Sequence, residues 1–590
     1  MPLGSARFSP LLVALVAAAC APSTFDGLTG GDDGRKKFTD PHANGQTEEE
    51  KIKALKDNDP RPLSPFSGSW VNTARPEFTW KLEPGITETT LELAKTRDFK
   101  DAMTFPAAGS KTTVDRDLEP GVYFWRLQAR SEKVKSGTYG PIWSVLVRGA
   151  SKNATKDNKA AHGGFTDADG NGVPDLTITY TTGERLGPPD SPLVDLPAIV
   201  TLIGSGAAGQ PITFDPFNGR TAWYSDAATD APAIAAGVDL DGDGYGDIVC
   251  ADVWTASTPS SDYYGTGGMM FPLWGGPYLD EAAMPPPATG DDDDAEGSFD
   301  DAPPTILTQP FTKPPALAVG DFNGDGYGDV SAMFTDLGTM IQGNAAGMSF
   351  TLMPFDSPGA TPPPSLFVSA GDFDGDGISD FAYTPYDLVS PLRLTKGSLK
   401  SFNAEPNLTV GSDIAPPTRA TAITTGDFDG DGFDEVAFST TVGGKAAICV
   451  SALGGTSINA HACWISDAPV AGFGATLGAG DTDGDGVDEI FVGSTTGITI
   501  LTHAGVGYAD STSTFTPTTV TGPYSSHFSV FYPGRPGKAQ WAVYGTDNKT
   551  LFVIEGKGEA GAAQHYDLST LKQAKNYENV EFRRFGTSIR

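Results

Sequence analysis

The sequence predicts an all-β protein, a seven-bladed β-propeller preceded by a small β-sandwich. Short β-type runs separated by Gly, Pro, Asn and Asp recur along the chain, while sustained helical periodicity is almost absent. The 72 glycines and 46 prolines supply the turns that such a chain needs. An acidic nonapeptide returns six times, at start-to-start spacings of 72, 82, 51, 55 and 54 residues. A unit of about fifty residues is the size of one four-stranded blade. At 590 residues the chain is also too long for a single core, so two or more domains are expected.

Residues 1–20, "MPLGSARFSPLLVALVAAAC", read as an export signal: one basic residue, Arg7, then an apolar run from Leu11 to Ala19 that is too short to span a bilayer as a helix. The ending at Cys20 resembles the lipobox of bacterial lipoproteins, in which the cysteine is lipidated and anchors the chain to a membrane. Ala17 stands where Leu is usual. An ordinary signal peptide cut after an Ala-x-Ala site is the alternative. On either reading the protein is exported, as an outer-membrane or cell-surface lipoprotein or else as a secreted protein. Residues 21–60 are polar, rich in Gly and Asp, and carry the charge run "TEEEKIKALKDNDPRP"; they read as a flexible tether.

Residues 61–149 resemble an immunoglobulin-type sandwich of the fibronectin III kind. "RPEFTWKLE", "TTLELAKT", "GVYFWRLQAR" and "IWSVLVRG" alternate as strands between turns. Tyr123, Trp125, Leu127 and Ala129 fall on one face of the third and are expected in the core rather than in a sugar-binding strip. In such modules Tyr123 would be the tyrosine-corner residue.

The repeats span 155–556. The copies start at Asp167 ("DADGNGVPD"), Asp239 ("DLDGDGYGD"), Asp321 ("DFNGDGYGD"), Asp372 ("DFDGDGISD"), Asp427 ("DFDGDGFDE") and Asp481 ("DTDGDGVDE"). A seventh unit without the acidic loop follows, "FSVFYPGRPGKAQWAVYGTDNKTLFVIEG", and 557–590 form a tail that can close the ring. The second unit carries long insertions, with Tyr263, Tyr264 and Tyr278 as candidate contact residues and the solvated acidic run "GDDDDAEGSFDD". Trp274 is assigned to a strand.

Positions 1, 3, 5 and 9 of each copy are the candidate ligands of a metal ion. They are Asp167, Asp169, Asn171 and Asp175; Asp239, Asp241, Asp243 and Asp247; Asp321, Asn323, Asp325 and Asp329; Asp372, Asp374, Asp376 and Asp380; Asp427, Asp429, Asp431 and Glu435; and Asp481, Asp483, Asp485 and Glu489. Carboxylates this close repel by about 1–4 kcal/mol per pair at 4 Å. A divalent cation turns that repulsion into binding. The oxygen-only donor set, without His or Cys, favours Ca²⁺ over zinc. Glycines at positions 4 and 6 let the backbone curl so that alternate side chains converge. EF-hand loops begin the same way, but here β runs such as "DFAYT" and "EIFVGS" follow at once and leave no room for a helix. About six structural calcium sites are expected.

On these residues the repeats resemble the FG-GAP or VCBS family, the calcium-loop blades of the integrin α-chain propeller, over about 160–556. The resemblance implies that each loop joins the first two strands of a blade, that the metal sites line one face, and that partners bind the opposite face. It also implies that Asn323 is tolerated, and that Asn171 weakens the first site.

Cys449 and Cys463 flank a Gly-Gly turn in "ICVSALGGTSINAHACW" at hairpin spacing, which predicts a disulfide in an oxidising compartment; Cys250 reads as a buried thiol. A net charge of −34 excludes nucleic acid as a partner. The six histidines share no motif, and no GxSxG, HExxH or Walker loop occurs. The leading reading is therefore a non-enzymatic surface protein that binds or adheres to an extracellular protein or glycan. A polysaccharide lyase or glycosidase on a propeller scaffold and a structural envelope lipoprotein remain as alternatives.

Overall fold

The computed structural model describes residues 60–589 other than 83–85, 132–137, 149–165, 185–193, 207–211, 215–219, 225–232, 256–265, 277–306, 310–314, 334–337, 345–346, 352–364, 386–391, 398–407, 410–419, 455–456, 467–470, 505–514, 532–538, 548, 559–562 and 568–580. The export signal, Cys20, the tether, Tyr263, Tyr264, Tyr278 and the acidic run lie outside the described residues. The chain is all-β, with no helix among the described residues.

The N-terminal strands form two sheets. One pairs Arg61–Ser64, Glu77–Lys81 and Lys111–Thr113. The other is ordered Ser69–Val71, Trp143–Val147, Gly121–Ser131, Ile86–Ala94 and Met103–Ala107, with the short Thr138–Tyr139 on the edge of Gly121–Ser131. Between them lies an aromatic core in which Trp125 meets Phe78 at 4.9 Å and Trp143 at 5.5 Å, centroid to centroid. Tyr123 is in this core, and its hydroxyl donates to the Glu119 carbonyl at 3.0 Å. Tyr123, Trp125, Leu127 and Ala129 are all buried, and so are Val122 and Phe124 on the opposite face of the same strand. Alternation alone predicts one buried face. The second is covered because Val122, Phe124, Trp70 and Leu146 pack with Ala539 and Val530, near the C-terminus.

Among the described residues the remaining strands form seven four-stranded antiparallel sheets and one two-stranded pair, Gly204–Ser205 with Thr213–Phe214. In the second to the seventh the strand order is the chain order. Their first strands are Ala233–Val238, Ala316–Gly320, Ser365–Gly371, Ile423–Gly426, Leu477–Gly480 and Tyr524–Phe531. The first sheet is completed from the other end of the chain: Glu581–Ile589 pairs antiparallel with Leu176–Glu184, beyond which lie Val194–Leu202 and Arg220–Tyr224. Residues beyond 557 thus supply two strands, since Ala563–Asp567 is also the fourth strand of the seventh sheet.

Second strands such as Asp329–Met333 and Glu489–Ser494 are buried along their whole length. They read as continuous apolar runs because a neighbouring sheet covers each face. The buried side chains divide into clusters, each lying between successive sheets. Ile199 of the first sheet packs with Ile248 of the second, Val249 with Val330 of the third, Met340 with Phe381 of the fourth, and Leu394 with Val436 of the fifth. Ile448 then packs with Ile490 of the sixth, Phe491 with Trp541 of the seventh, and Tyr544 with Ile178 of the first. First strands are rich in Gly and Ala where they crowd together: a Cβ on Gly480 would stand 2.5 Å from Val530 of the next sheet.

A disulfide joins Cys449 and Cys463, which face each other across Lys445–Gly454 and Ser457–Ile465. Cys250 is a buried thiol in Asp247–Thr255. Trp274 follows Thr266–Leu273 and packs half-buried against the core between the second and third sheets.

Candidate metal centres

All six acidic loops have one geometry, built by the repeat itself. The glycines at positions 4 and 6 take φ between +66° and +95° throughout, a region that side chains with a Cβ avoid. This curl lets the carboxylates grip the loop's own backbone. One oxygen of position 1 accepts the position 6 N–H at 2.8–3.0 Å in every loop. One oxygen of position 9 accepts the position 2 N–H at 2.7–3.0 Å. Position 5 accepts from position 7 at 2.7–3.0 Å.

The loops also hold one another. The N–H at position 8 donates to the position 1 carbonyl of the preceding loop, from Gly246 to Asp167, Gly328 to Asp239, Ser379 to Asp321, Asp434 to Asp372 and Asp488 to Asp427. Ala539 continues the series to Asp481, and the distances are 2.6–3.0 Å. In the fifth and sixth loops the position 8 carboxylate adds a second bond: Asp434 accepts from the Asp372 N–H at 2.7 Å and Asp488 from the Asp427 N–H at 3.2 Å. Sequence reading passed over these aspartates, although "FDE" and "VDE" display them.

Carboxylate oxygens converge within 4.8 Å at Asp167, Asp169 and Asp175; at Asp239, Asp241 and Asp247; at Asp372, Asp374 and Asp380; at Asp427, Asp429 and Glu435; and at Asp481, Asp483 and Asp485. The sixth group leaves out Glu489. In the third loop, where Asn323 replaces an aspartate, Asp321, Asp325 and Asp329 form no such cluster among the described residues. Burial, and after it the Asp169 charge, pushes Asp167 up to about 7. Burial first, and then like-charged neighbours, raise Asp239, Asp247, Asp329, Asp372, Asp380, Asp427 and Glu435 well above the carboxylate range. Asp167, Asp239 and Asp427 each keep one buried oxygen, Oδ1, that meets no hydrogen-bond donor. Buried oxygens of this kind are costly unless a cation completes them. An oxygen-only set with such orphans fits a hard divalent ion.

The sandwich lies against these loops. A Cβ on Gly244 would stand 1.7 Å from the Ile142 carbonyl, and one on Gly326 would stand 2.5 Å from that of Pro62. Arg97 donates to the Gly244 carbonyl at 3.1 Å and stacks 3.8 Å over Tyr245. Arg61 stacks 3.3 Å over Tyr327 and stands 3.6 Å from Asp325. Arg148 is buried between Asp488 at 2.9 Å and Asp481 at 3.3 Å. Two lysines also reach ligand positions: Lys396 meets Asp374 at 2.8 Å, and Lys557 meets Asp483 and Glu489, both at 3.0 Å. None of these five cations was singled out from sequence, because each lies far along the chain from the loop motif or outside it.

In the second sheet Thr266–Leu273 runs antiparallel to Asp247–Thr255 and returns toward the acidic loop, where the Gly275 N–H donates to Asp247 at 2.8 Å. The histidines on described strands, His461, His503, His527 and His565, lie on four different strands.

No family model matches the chain, that of the calcium-loop repeats included, and no curated protein matches it. Among solved structures, the exotype rhamnogalacturonan lyase YesX is 12% identical with a TM-score of 0.33 over 85% of this chain and 91% of that one. Rhamnogalacturonan lyase YesW gives 12%, 0.32 and the same coverage. AztD from Citrobacter koseri is 11% identical with a TM-score of 0.28 over 74% of this chain and 98% of that one. Likeness at this level carries neither fold nor function across.

Proposed function

We propose that the seven sheets are the blades of one closed β-propeller, that its acidic loops hold calcium, and that the chain is an exported, membrane-anchored surface protein binding an extracellular protein or glycan. Closure is supported by the apolar clusters between successive sheets, the seventh and first included, and by the pairing of Glu581–Ile589 with Leu176–Glu184. The observation that carries the calcium reading is the sixfold recurrence of one loop geometry with buried orphan oxygens in three copies. Positions 1, 3, 5 and 9 of a loop would hold the ion, which supplies the positive charge that the converging carboxylates lack. The loops are structural: they tie each blade to the next and lead straight into a buried second strand.

The sandwich covers the loop-bearing ends of several blades, so the surface left to a partner is the opposite one. Anchoring through Cys20 would hold that surface outside the membrane. The test is capture by the full chain on glycan and surface-protein arrays, with and without calcium. Calcium-dependent capture of one ligand class is expected, together with a diacylglyceryl mass on an N-terminal Cys20. Release of unsaturated uronic-acid ends from an acidic glycan would overturn the non-enzymatic reading, and an unmodified N-terminus elsewhere would overturn the anchor.

A further inference from the structure

The sixth loop differs from the others in how its oxygens are spent. Asp481 Oδ1 accepts the N–H groups of Asp483, Gly484 and Asp485, and Oδ2 accepts from Gly486 at 2.8 Å and Arg148 at 3.3 Å. Glu489 Oε2 accepts both the N–H and the hydroxyl of Thr482; Oε1 accepts from Thr502 at 3.3 Å and meets the Lys557 ammonium at 3.0 Å. A carboxylate offers about four lone-pair sites, so both buried ligands are saturated by protein donors. In the first, second and fifth loops the position 1 Oδ1 meets no donor. The Lys557 ammonium moreover stands between positions 3 and 9, 3.0 Å from Asp483 and from Glu489. Glu489 has left the converging group that position 9 joins in the first, second, fourth and fifth loops. In the fourth loop Lys396 meets Asp374, yet Asp372, Asp374 and Asp380 still converge.

We propose that the sixth loop is closed by the protein's own cation, Lys557, and takes no divalent ion while that lysine is in place. The inference rests on the calcium reading of the other loops. A tethered ammonium supplies one positive charge and three donors, enough to tie the sixth loop's hairpin to the seventh sheet, and it makes this joint independent of calcium supply.

Equilibrium dialysis of the full chain against calcium tests it. Lys557→Met should bind one more ion per chain than the wild type, and Lys557→Arg should bind the same number as the wild type. A Lys557→Met protein with the wild-type circular dichroism spectrum and an unchanged count would overturn the inference. So would an anomalous peak in the sixth loop of wild-type crystals soaked in manganese, a readout that needs no variant. A wild-type chain that retains no ion at all would instead remove the calcium reading, and this inference with it.

Discussion

Replacing Arg148 by methionine is expected to cost about 3–5 kcal/mol of stability, the usual penalty for removing one partner of a buried ion pair. Arg148 follows the last sandwich strand, Trp143–Val147, and its side chain is 4% exposed. Its guanidinium lies 4.2 Å over Trp70, 2.9 Å from Asp488 and 3.3 Å from Asp481. Methionine keeps most of the volume and the contact with Trp70, so the loss isolates the charge. Asp481 and Asp488, both buried, would then lose the guanidinium they share. Thermal unfolding should show a lower midpoint, and Asp488→Asn in the same chain should restore part of it, since coupled neighbours are not additive. An unchanged midpoint in Arg148→Met would mean that the sandwich does not brace the loops.

Chelation should act through the first, second and fifth loops and should bite harder as pH rises. Each site binding only the folded state contributes about 1.4 kcal/mol at tenfold saturation, so three sites contribute about 4 kcal/mol. Magnesium, which demands a tighter octahedral shell, should replace calcium poorly. The pH dependence follows from the raised carboxyl groups. Asp167, Asp243 and Asp321 stand near 7 against an ordinary 3.8, so the folded chain binds their protons more tightly than the unfolded chain does. Their stabilising effect is full below about 4 and is lost as pH rises through about 7. The chelated protein should therefore melt at a lower temperature at pH 8 than at pH 5. Calcium should shrink or reverse that trend, because the ligands bind it deprotonated. Melting curves in chelator and in millimolar calcium at the two pH values check both signs.

The acidic loops were legible from sequence because their geometry is local: four side-chain positions and two glycines within nine residues fix the turn, and a β run follows at once. The hairpin disulfide was legible for the same reason, through the separation of Cys449 and Cys463 across one turn. Arg148 and Lys557 were not, because each contact joins residues far apart in the chain or outside any repeat; the tail was read as able to close the ring, but not which of its residues, Glu581–Ile589, pair with Leu176–Glu184. The second buried face of Gly121–Ser131 was hidden differently. Val122 and Phe124 look like ordinary strand residues until Val530 and Ala539, four hundred residues on, pack against them. Asp434 and Asp488 were visible in the motif but passed over, since only the preceding loop gives position 8 a neighbour to hold.

Titration of calcium into the chelator-treated full chain decides whether the acidic loops hold the ion. Saturable binding is expected at Kd values of about 10⁻⁴–10⁻³ M, with at least the three loops of Asp167, Asp239 and Asp427 filled and fewer than six ions bound in all. No heat and no retained ion at millimolar calcium would contradict it.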